Sequence, residues 1–143
     1  MVEIDFRYEG SLRCTATHVP SRTTLSTDAP VDNQGRGESF SPTDLVATAL
    51  GACMLTTMAI VAERHGWPFA GATARVEKRM VADPVRRIGE LAVHLRLPGA
   101  FDERARTTLE RTALTCPVHK SLSPSVSIPV VFEWDPSAAL ERA

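Results

Sequence analysis

The chain has 143 residues, a size that predicts a single domain spanning residues 1–143. Sixteen basic residues against 17 acidic ones leave a net charge of −1 with no basic stretch, which excludes the electrostatic footprint of a nucleic-acid binder. The opening residues Met1-Val2-Glu3-Ile4-Asp5-Phe6 alternate apolar with charged and do not resemble a signal peptide, so a cytoplasmic protein with reduced thiols is expected.

Val2, Ile4, Phe6 and Tyr8 alternate with charged residues, the pattern of a half-buried strand. A turn at Glu9-Gly10-Ser11 leads to a second strand with Leu12, Cys14 and Ala16 facing inward. A third short strand is predicted from Arg22 to Thr27. A loop rich in Gly, Pro, Asp and Asn follows, from Asp28 to Phe40.

Ser41 is a good N-cap, Pro42 suits the first helical position, and Asp44 favours the positive helix end. The helix should run to about His65, where Gly66 and Pro68 end it. Its stretch from Leu45 to Ala62 is 18 residues without a charge, close to the length of a membrane span. Thr48, Gly51, Thr56 and Thr57 dilute it, and strand-like segments flank it, so a core helix and no membrane association are expected. A helix apolar on every face must be covered on every face. One short chain has too few strands for that, and a second subunit is expected to supply the rest.

Ala72, Ala74, Val76 and Met80 mark the next strand, and Leu91, Val93, Leu95 and Leu97 the strand returning after the turn at Asp83-Pro84. Asp102 should cap a second helix with Ala105, Leu109, Ala113 and Cys116 on one face, closed by Pro117. A final strand carries Val126, Ile128, Val130, Phe132 and Trp134, with Pro129 making it an edge strand or one with a break in its ladder. Residues 136–143 read as a frayed tail. The fold class is α+β, with antiparallel sheets around a long buried central helix.

Cys53, inside the charge-free helix, and Cys116, in Cys116-Pro117-Val118-His119, carry the chemistry. A lone buried cysteine is ordinarily a small hydrophobe, and Cys14, beside Leu12 and Ala16, is read so. Two thiols on separate helical patterns instead suggest redox chemistry. The Cys116/His119 spacing is half a zinc site, but no second pair exists at metal-ligand spacing. No metal site and no cofactor are expected. Trp67 and Trp134 are read as packing residues, with one of them a candidate to line an apolar pocket beside the thiol.

The string Ser41-Pro42-Thr43-Asp44-Leu45-Val46-Ala47 through Gly51-Ala52-Cys53 resembles the central helix of the OsmC/Ohr family of osmotically inducible and organic-hydroperoxide-resistance proteins. Cys116-Pro117-Val118 resembles that family's second cysteine motif, 63 residues on (116 − 53), and the order of elements is similar along nearly the whole chain. The resemblance implies an intertwined homodimer with the long helices at its centre. It also implies a cysteine-based peroxidase, with Cys53 the peroxidatic thiol and Cys116 the resolving one. A peroxide substrate is implied, with organic peroxides favoured by Leu50, Met54 and Leu55 around the thiol. So is a dithiol reductant, a lipoyl group among the candidates.

Such a thiol needs a nearby cation, because an unassisted cysteine is mostly protonated at neutral pH and Cys53 lies too far into its helix for the dipole to help. The family uses an arginine held by an acidic residue. Here the candidates are Arg13 on the second strand and Arg36 in Gln34-Gly35-Arg36-Gly37-Glu38, where glycines permit close approach and Glu38 is an available partner. The family's characterised peroxidases carry Glu directly after the helix-starting proline; this chain has Thr43 there and Asp44 one place on. That departure keeps a second reading open: a non-catalytic homodimer binding a small hydrophobic ligand on the same scaffold.

Overall fold

The charge-free run folds as one helix, α1 (Pro42–His65), in a computed structural model that describes residues 1–135. Its start is a reciprocal cap. Ser41 Oγ accepts from the Asp44 N–H at 3.1 Å, and Asp44 Oδ2 accepts from the Ser41 N–H at 2.9 Å. Each side chain thereby satisfies a backbone donor near the helix start. Gly66, at φ 68°, ends the helix in the left-handed conformation, and the Trp67 N–H returns to the Ala62 carbonyl at 2.8 Å. The chain divides within α1 into two compact units, Met1–Val46 and the part from Ala47 onward.

The first unit is an antiparallel sheet of β1 (Ile4–Gly10), β2 (Arg13–His18) and β3 (Thr24–Asp28), in that spatial order. Phe6 stands opposite Ala16 and Ala16 opposite Leu25; Tyr8 stands opposite Cys14 and Cys14 opposite Thr27. Period-two alternation therefore gathers Ile4, Phe6, Tyr8 and Leu25 on one face, and all four are exposed. The alternation is as predicted, but the apolar face it creates stays open in the single chain. Strand β3 runs one residue further than expected, so Asp28 is its last residue and not the first of the loop.

The second unit holds β4 (Thr73–Val81), β5 (Arg87–Pro98), α2 (Glu103–Leu114), α3 (Pro117–Ser121) and β6 (Val130–Asp135). The sheet order is β4-β5-β6, with β4 antiparallel to β5. The closing strand departs from the expected antiparallel pattern, since β6 lies parallel to β5. The chain leaves β5, passes through two helices and comes back alongside it, and such a crossover returns a strand in the parallel sense. Strand β6 is an edge strand as predicted, and it begins just after Pro129, which has no N–H to give a ladder. The tail expected to fray lies outside the described residues.

The core of this unit is Leu91, Val93, Leu95 and Leu97 of β5, Ala105, Leu109 and Ala113 of α2, and one stripe of α1. That stripe is Ala47, Leu50, Gly51, Met54, Met58 and Ala62, spaced three and four apart. At Gly51 a Cβ would come within 3.1 Å of Val76 Cγ2, so β4 passes close beneath the helix there. On the opposite side of α1, Thr48, Ala49, Ala52, Thr56 and Ile60 are exposed. By length and composition the helix also suits a membrane, with a mean hydropathy of 2.1 over its most apolar window. The buried stripe is what a core helix requires.

Candidate functional site

Cys53 lies about three turns into α1, at the margin between its buried and exposed stripes, and is half-buried. Cys116 is 1% exposed. It was expected on the last turn of the helix carrying Ala105, Leu109 and Ala113, but α2 stops at Leu114 and Cys116 is instead the N-cap of α3. Pro117 opens a helix here and does not close one, because the first helical position has no intrahelical partner for the N–H that proline lacks. Cys116 Sγ takes the usual role of a capping side chain and accepts the His119 N–H at 3.3 Å. The Cys-x-x-His spacing is thus the spacing of a cap turn.

The Cys53 thiol lies near enough to Cys116 to act on its ionisation. Burial pushes the Cys116 thiol up, the His119 N–H draws it part of the way back, and the adjacent Cys53 raises it again through both hydrogen bond and charge. Cys116 is therefore held neutral at neutral pH. The arrangement suits a pair in which Cys53 attacks and Cys116 follows.

Arg13 stands directly across the ladder from Asp28. Its Nη2 donates to Glu38 Oε2 at 3.0 Å and to Asp28 Oδ2 at 3.4 Å. The Asp28 side chain is 0% exposed, and its Oδ2 also accepts the Glu38 N–H at 3.0 Å. Its Oδ1 has no partner among the described residues. The Glu38 N–H holds this carboxyl below the usual carboxylate range against the cost of burial, with Arg13 helping.

Arg36 is placed differently. Its side chain is 75% exposed, and the nearest atoms of its ion pair with Glu38 are 4.0 Å apart. The flanking glycines serve the loop's own course. A Cβ on Gly35 would lie 1.7 Å from the Ala29 carbonyl oxygen, and Gly37, at φ 63°, would bring one to 2.9 Å from Val31 Cγ2. The loop folds back on itself at these glycines, and that course sets the Glu38 N–H on Asp28.

Asp44 is engaged in the α1 cap, and Thr43 Oγ1 is 3.2 Å from Ser41 Oγ. Cys14 sits half-buried on β2. The tryptophans join one aromatic cluster. Trp67 stacks on His65 and meets the edge of Phe101, which meets Trp134 in turn. Trp134 Nε1 donates to Glu110 at 3.0 Å, and Arg106 lies over its ring. A cavity of about 170 Å³ beside Trp67 and Phe101 is lined by neither cysteine.

Asp28 is the residue that sequence reasoning missed. An aspartate ahead of Ala29-Pro30 reads as a turn residue, and only the β2–β3 register pairs it with Arg13.

The sequence profile of the family described as OsmC-like protein matches residues 35–131. A solved structure from Psychrobacter arcticus 273-4, provisionally named an osmotic stress induced and detoxification response protein, is 44% identical, covers 93% of this chain and 96% of its own, and superposes with a TM-score of 0.87. An OsmC-like protein from Mycoplasma pneumoniae is 17% identical over 94% of this chain and 96% of its own, with a TM-score of 0.79. An organic hydroperoxide resistance protein OsmC from Legionella pneumophila is 16% identical over 93% and 96%, with a TM-score of 0.75. No curated protein matches the chain. With an α+β fold of this topology and this family match, the chain belongs to the OsmC family.

Proposed function

We propose that the chain is a thiol-dependent reductase of organic hydroperoxides, acting through Cys53 and Cys116. The observation that carries this reading is the contact between the two thiols, with Cys116 buried and held neutral. The Cys53 thiolate attacks one peroxide oxygen, the O–O bond breaks, and the alkoxide leaves and takes a proton to become the alcohol. Cys53 is left as a sulfenic acid. The Cys116 thiol then displaces water from that sulfur to form a disulfide, and an external dithiol, a lipoyl group being a fitting one, returns the two electrons as it closes to its own disulfide.

The two candidate arginines differ in their settings. Two carboxylates hold the Arg13 guanidinium, whereas Arg36 extends into solvent. Of the apolar neighbours of Cys53 on α1, Leu50 and Met54 are buried in the core, and Leu55, half-buried, is the one left to meet an organic peroxide. The Legionella relative's name supports the same substrate class. We place the working protein in the cytoplasm as a homodimer.

Steady-state consumption of cumene hydroperoxide with a dithiol reductant tests the reading. Turnover far above that of the free dithiol is expected; turnover no faster than free thiol would leave the chain a binding protein. A second outcome follows from the roles of the thiols. Cys116→Ser should leave the first oxidation of Cys53 intact but let it run on to sulfinic acid, because the trapping sulfur is gone. Mass spectrometry of the peroxide-treated variant should find Cys53 heavier by two oxygens. A variant that resists over-oxidation as well as the wild type would remove Cys116 from the scheme.

A further inference from the structure

We propose that Cys53 and Cys116 together form a two-coordinate site for a soft monovalent metal ion, copper(I). The proposal stands on the placement of the two sulfurs and does not need the chain to reduce peroxides. Cys53 on α1 lies beside Cys116 at the N-cap of α3, and both belong to the compact unit that begins at Ala47. Cys116 is 1% exposed, whereas Cys53 is half-buried and leaves the pair open to an incoming ion. Cys116 Sγ accepts the His119 N–H at 3.3 Å. A backbone donor of this kind fixes the sulfur and steadies the charge of a metal-bound thiolate.

The donor set selects the metal. Zinc is held by four ligands in structural sites and keeps three protein ligands in catalytic ones. No group of three or more His, Cys, Asp or Glu side chains comes together among the described residues. Calcium and magnesium take oxygen ligands, which this pair does not offer. Thiolates are soft and select copper(I), an ion that two sulfurs can satisfy. Binding moves no electrons. The two S–H protons leave to solvent and two Cu–S bonds form, so one positive ion against two thiolates leaves a single negative charge on the pair. A disulfide has no thiolate to give, and the metal and the Cys53–Cys116 disulfide are therefore alternative states of the same two sulfurs.

The test is anaerobic titration of the reduced protein with copper(I) supplied as its bicinchoninate complex, whose colour fades as the ion moves to the protein. It is run on wild type, Cys53→Ser, Cys116→Ser and Cys14→Ser. Alkylation by iodoacetamide, read by peptide mass spectrometry, reports which thiols the ion covers. One copper per chain is expected, with Cys53 and Cys116 both protected and Cys14 alkylated as in the metal-free protein. Loss of a hydrogen-bond partner behind a ligand costs about 10–100-fold in metal affinity, so loss of either ligand itself should weaken binding by more than roughly 100-fold. Cys14→Ser should bind as the wild type does, and zinc at the same concentration should protect neither thiol.

Copper that stays with the chelator, protection of one thiol without the other, or protection by zinc as complete as by copper overturns the proposal. So does binding by Cys53→Ser or Cys116→Ser as tight as that of the wild type, or a loss of binding in Cys14→Ser. Should a serine variant not fold, the protection pattern in the wild type decides. The titration uses no peroxide, so its failure and the failure of the enzyme reading are distinguishable. Copper binding without hydroperoxide turnover defeats the enzyme reading alone, and turnover with copper left on the chelator defeats this proposal alone.

Discussion

Cys53→Ser should bring hydroperoxide consumption down to the background rate of the reductant, a loss on the order of 1,000-fold or more, as expected when the group that forms the covalent intermediate is removed. The reason is specific to sulfur. A serine hydroxyl is not ionised at neutral pH and has no accessible sulfenic state, so neither the attack on the O–O bond nor the disulfide step survives. The substitution is nearly isosteric at a half-buried position, and the melting temperature should hardly move. Steady-state rates with a melting curve on the same preparation separate lost chemistry from lost fold. A Cys53→Ser variant retaining a tenth of wild-type turnover would show that another group performs the reaction.

The second large effect concerns assembly. The exposed stripe of α1, Thr48, Ala49, Ala52, Thr56 and Ile60, carries no charge. The β1 face adds Ile4 at 50%, Phe6 at 71% and Tyr8 at 58% exposure. Apolar surface of this extent is uncommon on a monomer, and fully burying one large apolar side chain is worth about 1.5–3 kcal/mol. A homodimer with α1 at its centre would cover the helix stripe, and sedimentation at low micromolar concentration should then give about twice 15.5 kDa.

Ala52→Glu and Ile60→Glu probe this directly. On an exposed helix face each would change stability by no more than about 0.5 kcal/mol. At a subunit interface each places an unpaired carboxylate in a desolvated seam. The expected result is loss of the dimer together with most of the folded protein. A compact, stable monomer, in wild type or variant, would contradict this account of α1.

Much of the molecule was legible in its sequence because the deciding interactions are local. The start and end of α1 follow from Ser41, Pro42, Asp44 and Gly66, each acting within a few residues of itself. The inward face of β5 follows from strict alternation over Leu91, Val93, Leu95 and Leu97. The direction of β6 did not, since the parallel sense depends on the path the chain takes through α2 and α3. Pro117 was read as a helix stop, yet the same residue starts α3, because proline breaks a helix behind it and suits one ahead of it.

The site divides along the same line. Cys53 and Cys116 stand out by residue type and surroundings. Asp28 is defined by what faces it across a strand pair, and Arg13 and Arg36 separated only once exposure and the carboxylates around each were seen. The glycines beside Arg36 were read as permitting close approach, and they are room for the loop's own backbone.

The central claim is that Cys53 and Cys116 form one redox unit. It is tested most directly by titrating the reduced protein with cumene hydroperoxide and mapping the cysteine-containing peptides by mass spectrometry. One equivalent should convert the pair to an intramolecular Cys53–Cys116 disulfide and leave Cys14 as a thiol. A dominant linkage through Cys14, or a protein that consumes the equivalent without joining Cys53 to Cys116, would contradict it.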